Sequence, residues 1–513
     1  MSPTTHRPTT EQLAALDLFG TADPMVIRAG AGTGKTTTLS MMARTPRGNR
    51  TNGTYVAFNK AIVVDAGQAF PVGVDCRTLH SLAYRAIRNG HPDGRALLSR
   101  TGNNRVSPWQ TAKHLGLNHG ALSIQIPTPE GAPRNKIIQP NQQASHVMRA
   151  VGVFCNSADP EPGPQHFPYL DGIDPRDAAG RRTFVNNRQL AQHLLPALQA
   201  AWADLTSPTG SLRFTHDVYV KLWHLGRYGI PGDYILFDEA QDASPVMLDA
   251  LDHAAGQGQQ VIYVGDGSQQ IYEWRGAVDA LDRVNESFPR TNLTQSWRFG
   301  PALADLANVL LDELDAPLRL EGNPGRDTRV HLTRSGCPRP DAVLCRSNGA
   351  AVNALLGFQA QGLHPHLVGG TDDIVDFAHA AVKLQAGEKS GHRDLACFDD
   401  WREVQEYVED DPGGSDLRVM VKMLDEYGPQ IVIDALTGLV AEEAADVVIS
   451  TAHKSKGREW ATVQLGPDFQ DYDGQPVPPP ELRLLYVAAT RATHHLDVTT
   501  CQPIRRLLAG VGR

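Results

Sequence analysis

Residues 29–36 read Ala-Gly-Ala-Gly-Thr-Gly-Lys-Thr and directly follow the apolar run Met25-Val26-Ile27. An apolar strand that ends in glycines lets the backbone turn tightly into a helix starting near Lys35. The loop Ala29, Gly30, Ala31, Gly32, Thr33, Gly34, continuing to Thr37, then aims backbone N–H groups and a helix N-terminus at a triphosphate. Lys35 is placed to reach the β- and γ-phosphates, and the Thr36 hydroxyl to bind Mg²⁺. Taken alone, the segment also reads as an ordinary Gly-rich loop. The residues downstream argue against that.

Asp238-Glu239-Ala240-Gln241-Asp242 follows the apolar run Tyr234–Phe237. A carboxylate at a strand end beside a phosphate loop suits Mg²⁺, which assigns Asp238 to the metal. Glu239 is then free to orient and deprotonate an attacking water. An acidic surface loop is the plainer alternative. In Gly265-Asp266-Gly267-Ser268-Gln269, the uncharged amide of Gln269 can touch a γ-phosphate or its water. Tyr272, Trp274 and Arg275 lie just beyond. Aromatic faces stack on unpaired bases whatever their identity. Core packing is the alternative for such a pair, and the neighbouring Arg275 favours nucleic acid.

The elements that must position these groups are short apolar runs separated by helical patterns. Met25–Ile27, Tyr55–Ala57, Tyr234–Phe237 and Val261–Val264 imply a parallel sheet covered by helices, with ligands at the carboxyl ends of its strands. Ala342–Cys345, Val447–Ile449, Val463–Leu465 and Leu496–Val498 imply a second unit of the same kind. Residues 85–230 interrupt the first unit. Their middle, Ile126 to Arg182, is rich in Pro, Gly and Asp and reads as loop-rich. Gln189 to Leu205 reads as an amphipathic helix broken or started at Pro196. Residues 370–442 interrupt the second unit and read as mostly helical, with Trp401–Glu409 and Val419–Tyr427 separated by Asp411-Pro412-Gly413-Gly414. Lys221, Trp223 and Arg227 suit either a duplex-DNA contact or a solvated helix face.

The 513 residues are 41% hydrophobic and 20% charged, an ordinary soluble composition with room for several cores. No run of about 18 apolar residues marks a membrane span. Met1 to Thr10 lacks the apolar core of a signal peptide. The six cysteines include no Cys-x-x-Cys pair, which argues against zinc or iron–sulfur sites and for reduced, intracellular thiols. The net charge of −9 argues against a protein that coats nucleic acid indiscriminately, but not against a local basic groove. Arg outnumbers Lys and Ala, Gly and Asp abound, which fits a bacterial or phage genome and a cytoplasmic protein.

In this order the segments closely resemble the UvrD/Rep family of superfamily 1 DNA helicases. The likeness covers about residues 10–85, 230–350 and 445–500. It implies two RecA-like P-loop α/β domains with parallel sheets, each carrying a mainly helical insertion. Residues 1–84 and 231–298 would form the first core domain, with insertion 85–230. Residues 299–369 and 443–513 would form the second, with insertion 370–442. By the same resemblance Gln12 reads the adenine and Trp297 stacks on it. Arg298, in Ser296-Trp297-Arg298, contacts the γ-phosphate. Ala57-Phe58-Asn59-Lys60 and Thr78-Leu79-His80-Ser81 match DNA-contacting segments, through Phe58, Asn59, Lys60 and His80. In Thr451-Ala452-His453-Lys454-Ser455-Lys456-Gly457-Arg458-Glu459-Trp460, His453 touches DNA while Gly457 and Glu459 hold the nucleotide. Leu484-Leu485-Tyr486-Val487-Ala488-Ala489-Thr490-Arg491-Ala492 matches the family's last motif, in which Arg491 is an arginine finger. The wording is closest to the F-box DNA helicase branch, although no F-box precedes the core and ubiquitin-ligase association is not implied. Gly267 and Ser268 stand where acidic residues are common, and Arg458 where Leu is usual. The short second insertion and the end soon after Arg491 leave no room for a large regulatory or nuclease domain.

The resemblance thus implies an ATP- and Mg²⁺-dependent helicase, monomeric when isolated, that moves 3′ to 5′ on single-stranded DNA and meets single/double-strand junctions. Lys35, Asp238, Glu239, Gln269, Arg298 and Arg491 would carry the hydrolysis. A translocase that strips recombinase or other proteins from DNA is the alternative with the same motor. A nucleotide-switched binding module without turnover is the alternative of another class.

Overall fold

The structure is a computed structural model. It describes residues 7–57, 60–101, 106–126, 134–170, 173–174, 183–271, 279–369, 371–392, 394–395, 398, 400–410, 415–470, 472 and 475–511. Two six-stranded sheets organise it. The first holds β1 (Met25–Ala29), β2 (Gly53–Ala57), β3 (Val74–Thr78), β6 (Tyr234–Phe237), β7 (Gln260–Gly265) and β8 (Arg290–Leu293), in the order β3-β2-β6-β7-β1-β8. The second holds β9 (Arg329–His331), β10 (Ala342–Cys345), β11 (Pro365–Leu367), β12 (Val447–Thr451), β13 (Trp460–Leu465) and β14 (Ala492–Asp497), in the order β11-β12-β10-β13-β14-β9. Every pairing within both sheets is parallel. An antiparallel hairpin of β4 (Leu122–Ile126) and β5 (Arg134–Ile138) lies in the first insertion.

The central strands are mostly apolar because helices cover both faces, and β6 and β10 are apolar at every position. Tyr234, Ile235, Leu236 and Phe237 are all buried. One face of the first sheet, with Val26 and Ile235, shares a core with Val147, Leu194 and Trp223 of the first insertion. The other face packs Ile27 and Leu236 against Leu39 of the helix Lys35–Ala43. In the second sheet Val343 and Ile449 pack against Phe377, Trp401 and Leu424 of the second insertion. A further core crosses between the lobes: Ala31 and Ile271 pack with Phe299, Leu344 and Tyr486. Among the described residues no helix is long and apolar enough to cross a membrane.

The insertions correct three expectations. The stretch read as loop-rich contains the 17-residue helix Pro140–Asn156. Val147, Ala150, Val151 and Phe154 recur at helical spacing on its buried face, and that burial outweighs the breakers around it. Pro196 neither breaks nor starts a helix. It lies inside Val185–Leu205, exposed beside exposed Gln192. The carbonyl that loses its partner therefore faces water, while Leu194, Leu198 and Leu205 anchor the opposite face. Lys221 and Trp223 are neither DNA-facing nor solvated. Both are buried, with Lys221 Nζ donating to the carbonyls of Ser157 (2.7 Å) and Asp159 (2.6 Å) and lying 4.4 Å from the Phe154 ring centre. Only Arg227 is exposed, paired with Asp249 at 2.5 Å. A helix can bury a cation when a neighbouring loop offers carbonyls to it.

Candidate active site between the lobes

The phosphate loop owes its shape to Gly32 (φ +73°) and Gly34 (φ +80°), which take a backbone conformation that other residues rarely adopt. Gly32 is also needed for proximity. A Cβ there would lie 2.6 Å from Arg298 Cβ and 2.7 Å from Ser296 Oγ. The Trp297 N–H donates to the Gly32 carbonyl at 2.8 Å, so the linker to the second lobe is laid along the loop. Thr33 Oγ1 donates to the Gly30 carbonyl at 2.9 Å and closes the turn.

A cavity of about 350 Å³ opens between the lobes. Gly32 to Thr37, Glu239 and Gln269 line it from one side, and Trp297, Arg298, Arg326, Gly457, Glu459 and Arg491 from the other. Ala29, Gly30 and Ala31 lie behind it, at the end of β1 and in the turn. Gln12 and Trp297 approach Gly34 from two directions. A Cβ on Gly34 would sit 3.6 Å from Gln12 Nε2 and 3.7 Å from Trp297 Cδ1. Gln12 is buried and donates to Thr38 Oγ1 at 3.1 Å. Of these two, Trp297 lines the cavity, as Lys35 and Glu239 do, and Gln12 stands behind Gly34.

The strand ends deliver the acids. Asp238 Oδ2 accepts from Thr36 Oγ1 at 3.1 Å and from Tyr55 Oη at 2.7 Å. Glu239 adopts φ +56°, rare for a residue with a side chain, and Lys35 Nζ lies 3.3 Å from its Oε1. Burial pushes the Asp238 carboxyl up, and the charge of Glu239 adds to this. Burial acts on Glu239 as well, but the Lys35 and Lys456 ammonium groups outweigh it and hold Glu239 below the usual range. The adjacent carboxylates are therefore pushed apart by their surroundings. Thr36 and Asp238 suit Mg²⁺: they are oxygen donors within hydrogen-bond distance, and Asp238 is a buried charge whose nearest carboxylate neighbour repels it.

The linker and the second lobe answer with cations. Arg491 is buried. It donates through Nε to the Val487 carbonyl at 2.8 Å and through Nη2 to Gln269 Oε1 at 3.2 Å. Burial, then the Arg298 guanidinium, push its pKa down to about 9. Arg298 is tied by Nε to Glu459 at 2.7 Å and by Nη1 to the Thr490 carbonyl at 3.1 Å. Glu459 thus holds an arginine beside the cavity that it lines. Lys456 pairs with Asp242 and donates to the Gln269 carbonyl at 2.8 Å. Burial pushes Asp242 up to about 6 despite that pair.

Several residues here carried no assignment from sequence: Tyr55, Gln241, Asp242, Asp266, Lys456 and Tyr486. All but Tyr55 stand inside the quoted motifs. Their signal was a polar or ionisable side chain within an otherwise buried segment. Gln241 Nε2 donates to Glu239, and its Oε1 accepts the Asp266 N–H at 3.0 Å, which joins two strand-end loops.

The residues expected on DNA are placed less completely. Phe58, Asn59, Tyr272, Trp274 and Arg275 lie outside the described residues. Lys60 opens the helix Lys60–Ala69. His80 sits in the first turn of Leu79–Gly90, just past β3, 3.7 Å from Asp217 Oδ1 and 6.4 Å from the His216 ring. Thr78–Ser81 and Thr215–Asp217, far apart in the chain, therefore meet. His453 lies in the loop after β12, partly exposed.

Comparison with known proteins agrees with this geometry. Residues 12–275 match the model of an AAA domain, and residues 446–499 that of a UvrD-like helicase C-terminal domain. F-box DNA helicase protein 1 of Schizosaccharomyces pombe is 28% identical over 96% of this chain and 57% of its own length. F-box DNA helicase 1 of Gallus gallus is 30% identical over 95% of this chain and 48% of its own. ATP-dependent DNA helicase PcrA of Leuconostoc citreum is 24% identical over 64% of this chain and 42% of its own. The chain spans about half the length of these curated relatives. Among solved structures, an arterivirus nonstructural protein 10 helicase in complex with DNA covers 94% of this chain and 62% of its own at 12% identity, with a TM-score of 0.30, too low to carry weight. With an AAA-domain match over half its length, a UvrD-like match beyond it and the ordered motifs gathered in one cleft, the chain belongs to the UvrD-like superfamily 1 DNA helicases.

Proposed function

We propose that this chain is an ATP-dependent DNA helicase that moves on single-stranded DNA, 3′ to 5′, by hydrolysing ATP between its two lobes. The observation that supports it best is the convergence of Lys35, Glu239 and Gln269 from one lobe with Arg298 from the linker and Arg491 from the other lobe on one cavity. Phosphoryl transfer needs positioning and charge neutralisation more than covalent help, and this set offers both.

In this reading the loop N–H groups and the helix Lys35–Ala43 hold the triphosphate, with Gln12 and Trp297 on the base. Lys35 leaves Glu239 for the phosphates, and Glu239 orients the attacking water. Thr36 and Asp238 hold Mg²⁺, which when bound neutralises charge on the phosphate oxygens. Arg298 and Arg491 meet the charge that builds up in the transition state. Arg491 comes from the second lobe and Arg298 from the linker into it, so hydrolysis is tied to closure of the lobes. DNA held across both lobes, at His80 on one side and His453 on the other, is passed along as the cleft closes and reopens. Binding to both lobes favours closure, so single-stranded DNA stimulates turnover.

Strand separation on duplexes with 3′ or 5′ tails tests the proposal, with Lys35→Ala as control. Unwinding of the 3′-tailed duplex alone is expected, and none by the control. ATP-driven clearance of a recombinase filament without unwinding of either duplex would replace this reading with the protein-stripping one. Tight ATP binding without turnover would leave only a nucleotide-switched binding module.

A further inference from the structure

Tyr486 is fully buried on the second lobe, yet among the described residues its hydroxyl bonds to the first lobe. The Ala31 N–H, in the phosphate loop, donates to it at 3.2 Å. The hydroxyl in turn donates to Asp266 Oδ2 at 3.1 Å. Asp266 also accepts from Gln269 Nε2 at 2.7 Å and, through Oδ1, from the Ser268 N–H at 3.1 Å. Gln269 Oε1 accepts from Arg491 at 3.2 Å. The amide of Gln269 is thereby fixed at both ends, its nitrogen by the carboxylate that Tyr486 holds and its oxygen by the guanidinium five residues after Tyr486.

We propose that Tyr486 is a positioning residue that makes the phosphate loop and the orientation of Gln269 depend on lobe closure, an inference that rests on the proposed hydrolysis between the lobes. The ring packs in the core that Ala31 and Ile271 share with the second lobe, so it reaches its partners only when the lobes are together. A hydroxyl is the group required, because it accepts from an N–H and donates to a carboxylate at once. Asp266 makes no direct ion pair among the described residues, although the Lys35 ammonium favours its charge; of the hydrogen bonds to its oxygens, all but the one from Tyr486 come from its own loop. When the lobes part, the Ala31 N–H and Asp266 both lose that partner and Gln269 is released to turn. Closure thus sets the phosphate loop and the hydrolysis-sensing amide in one movement, through a group that does not line the nucleotide cavity.

The test is steady-state ATP turnover by the full chain, with and without oligo(dT), for wild type, Tyr486→Phe, Asp266→Asn and the double variant, with thermal melting as a check on folding. Tyr486→Phe keeps the ring and removes the hydroxyl. The ratio of DNA-stimulated to basal turnover is expected to fall by ~10-fold in Tyr486→Phe, with KM for ATP within about twofold of wild type. The double variant is expected to be no worse than the poorer single one, because both changes cut the same chain. A role in stability alone would scale basal and stimulated turnover together and leave the ratio as in wild type, which overturns the proposal. Should Tyr486→Phe not fold, an unchanged ratio in Asp266→Asn overturns it equally. Wild-type turnover that oligo(dT) does not raise defeats the functional reading itself, whereas a normal wild-type response with a normal ratio in the variants defeats only this inference.

Discussion

Each lobe has a strand that runs straight into a helix N-terminus, and the two ends are finished differently. After β1 the Gly30 and Ala31 N–H groups are bonded to the Leu293 carbonyl and the Tyr486 hydroxyl, while Gly32, Thr33 and Gly34 line the cavity ahead of the helix Lys35–Ala43. After β10 the chain enters the helix Asn348–Gln359, and there Asp468 fills the corresponding place. Its carboxylate accepts from the Arg346 N–H (3.0 Å), the Ser347 N–H (2.8 Å) and Ser347 Oγ (2.9 Å). Both are anion sites of the kind that helix N-termini provide. One is kept open for a phosphate, and the other is satisfied from within. The second lobe therefore needs no nucleotide of its own; the linker brings Arg298 and the second lobe Arg491 to the cleft, with Lys456 and Tyr486 reaching the first lobe beside it. Against these stand Asp238, Glu239, Asp242 and Asp266 of the first lobe. The division of labour is electrostatic as well as geometric: acids predominate on the first lobe's face and cations on the other, with Lys35 and Glu459 as the exceptions.

The sharpest way to break this contrast is to damage both strand ends in parallel. Lys35→Ala is expected to lower ATP turnover by ~10³-fold while the melting temperature stays close to wild type. Asp468→Ala is expected to do the reverse. Loss of its hydrogen bonds at a helix N-terminus should cost about 2–3 kcal/mol of stability, read by urea unfolding. Turnover per folded molecule should stay within about threefold of wild type. If Asp468→Ala instead abolished turnover in a stably folded protein, the second strand end would be part of the chemistry and the contrast would fail.

A smaller effect separates the cleft from the structure that supports it. His146 is buried in the first insertion, tilted against Phe167, and burial followed by the charge of Arg149 pushes its pKa down to about 4. The folded value lies below the unfolded one, near 6.5, so on acidification the unfolded chain takes up the proton first. Stability is present above pH 6.5 and is lost as pH falls toward 4, by about 1–3 kcal/mol from this group. His146→Gln is expected to flatten that part of the stability profile and leave the pH dependence of turnover unchanged. A shift in the turnover profile would show that the insertion is coupled to the cleft.

Most of the cleft was legible in the sequence because its groups sit at strand ends, where short apolar runs announce the position of the next loop. Lys35, Asp238, Glu239 and Gln269 follow three such runs, and the structure brings them to one cavity with Arg298 and Arg491. The partners between lobes were not legible. Nothing local in Tyr486 or Lys456 distinguishes a side chain that packs within its lobe from one that crosses to the other. Asp242 and Asp266 look like loop acids until the opposite face is known. The insertions were misread for a similar reason. Pro196 and the Pro- and Gly-rich stretch before Arg182 were judged by local propensity, and tertiary burial decided the outcome. Lys221 looked like a surface cation because a single helix does not reveal which loop will fold over it.

The pinch itself is tested most directly by ATP turnover of wild type and Arg491→Ala as oligo(dT) is added. Two lobes closing on one triphosphate predict a wild-type rate that climbs with single-stranded DNA, and an Arg491→Ala rate lower by ~10³-fold at saturating DNA with ATP binding retained. Full DNA-stimulated turnover in folded Arg491→Ala would show that the Arg491 guanidinium contributes no charge to the reaction, contrary to the arrangement described for the cleft.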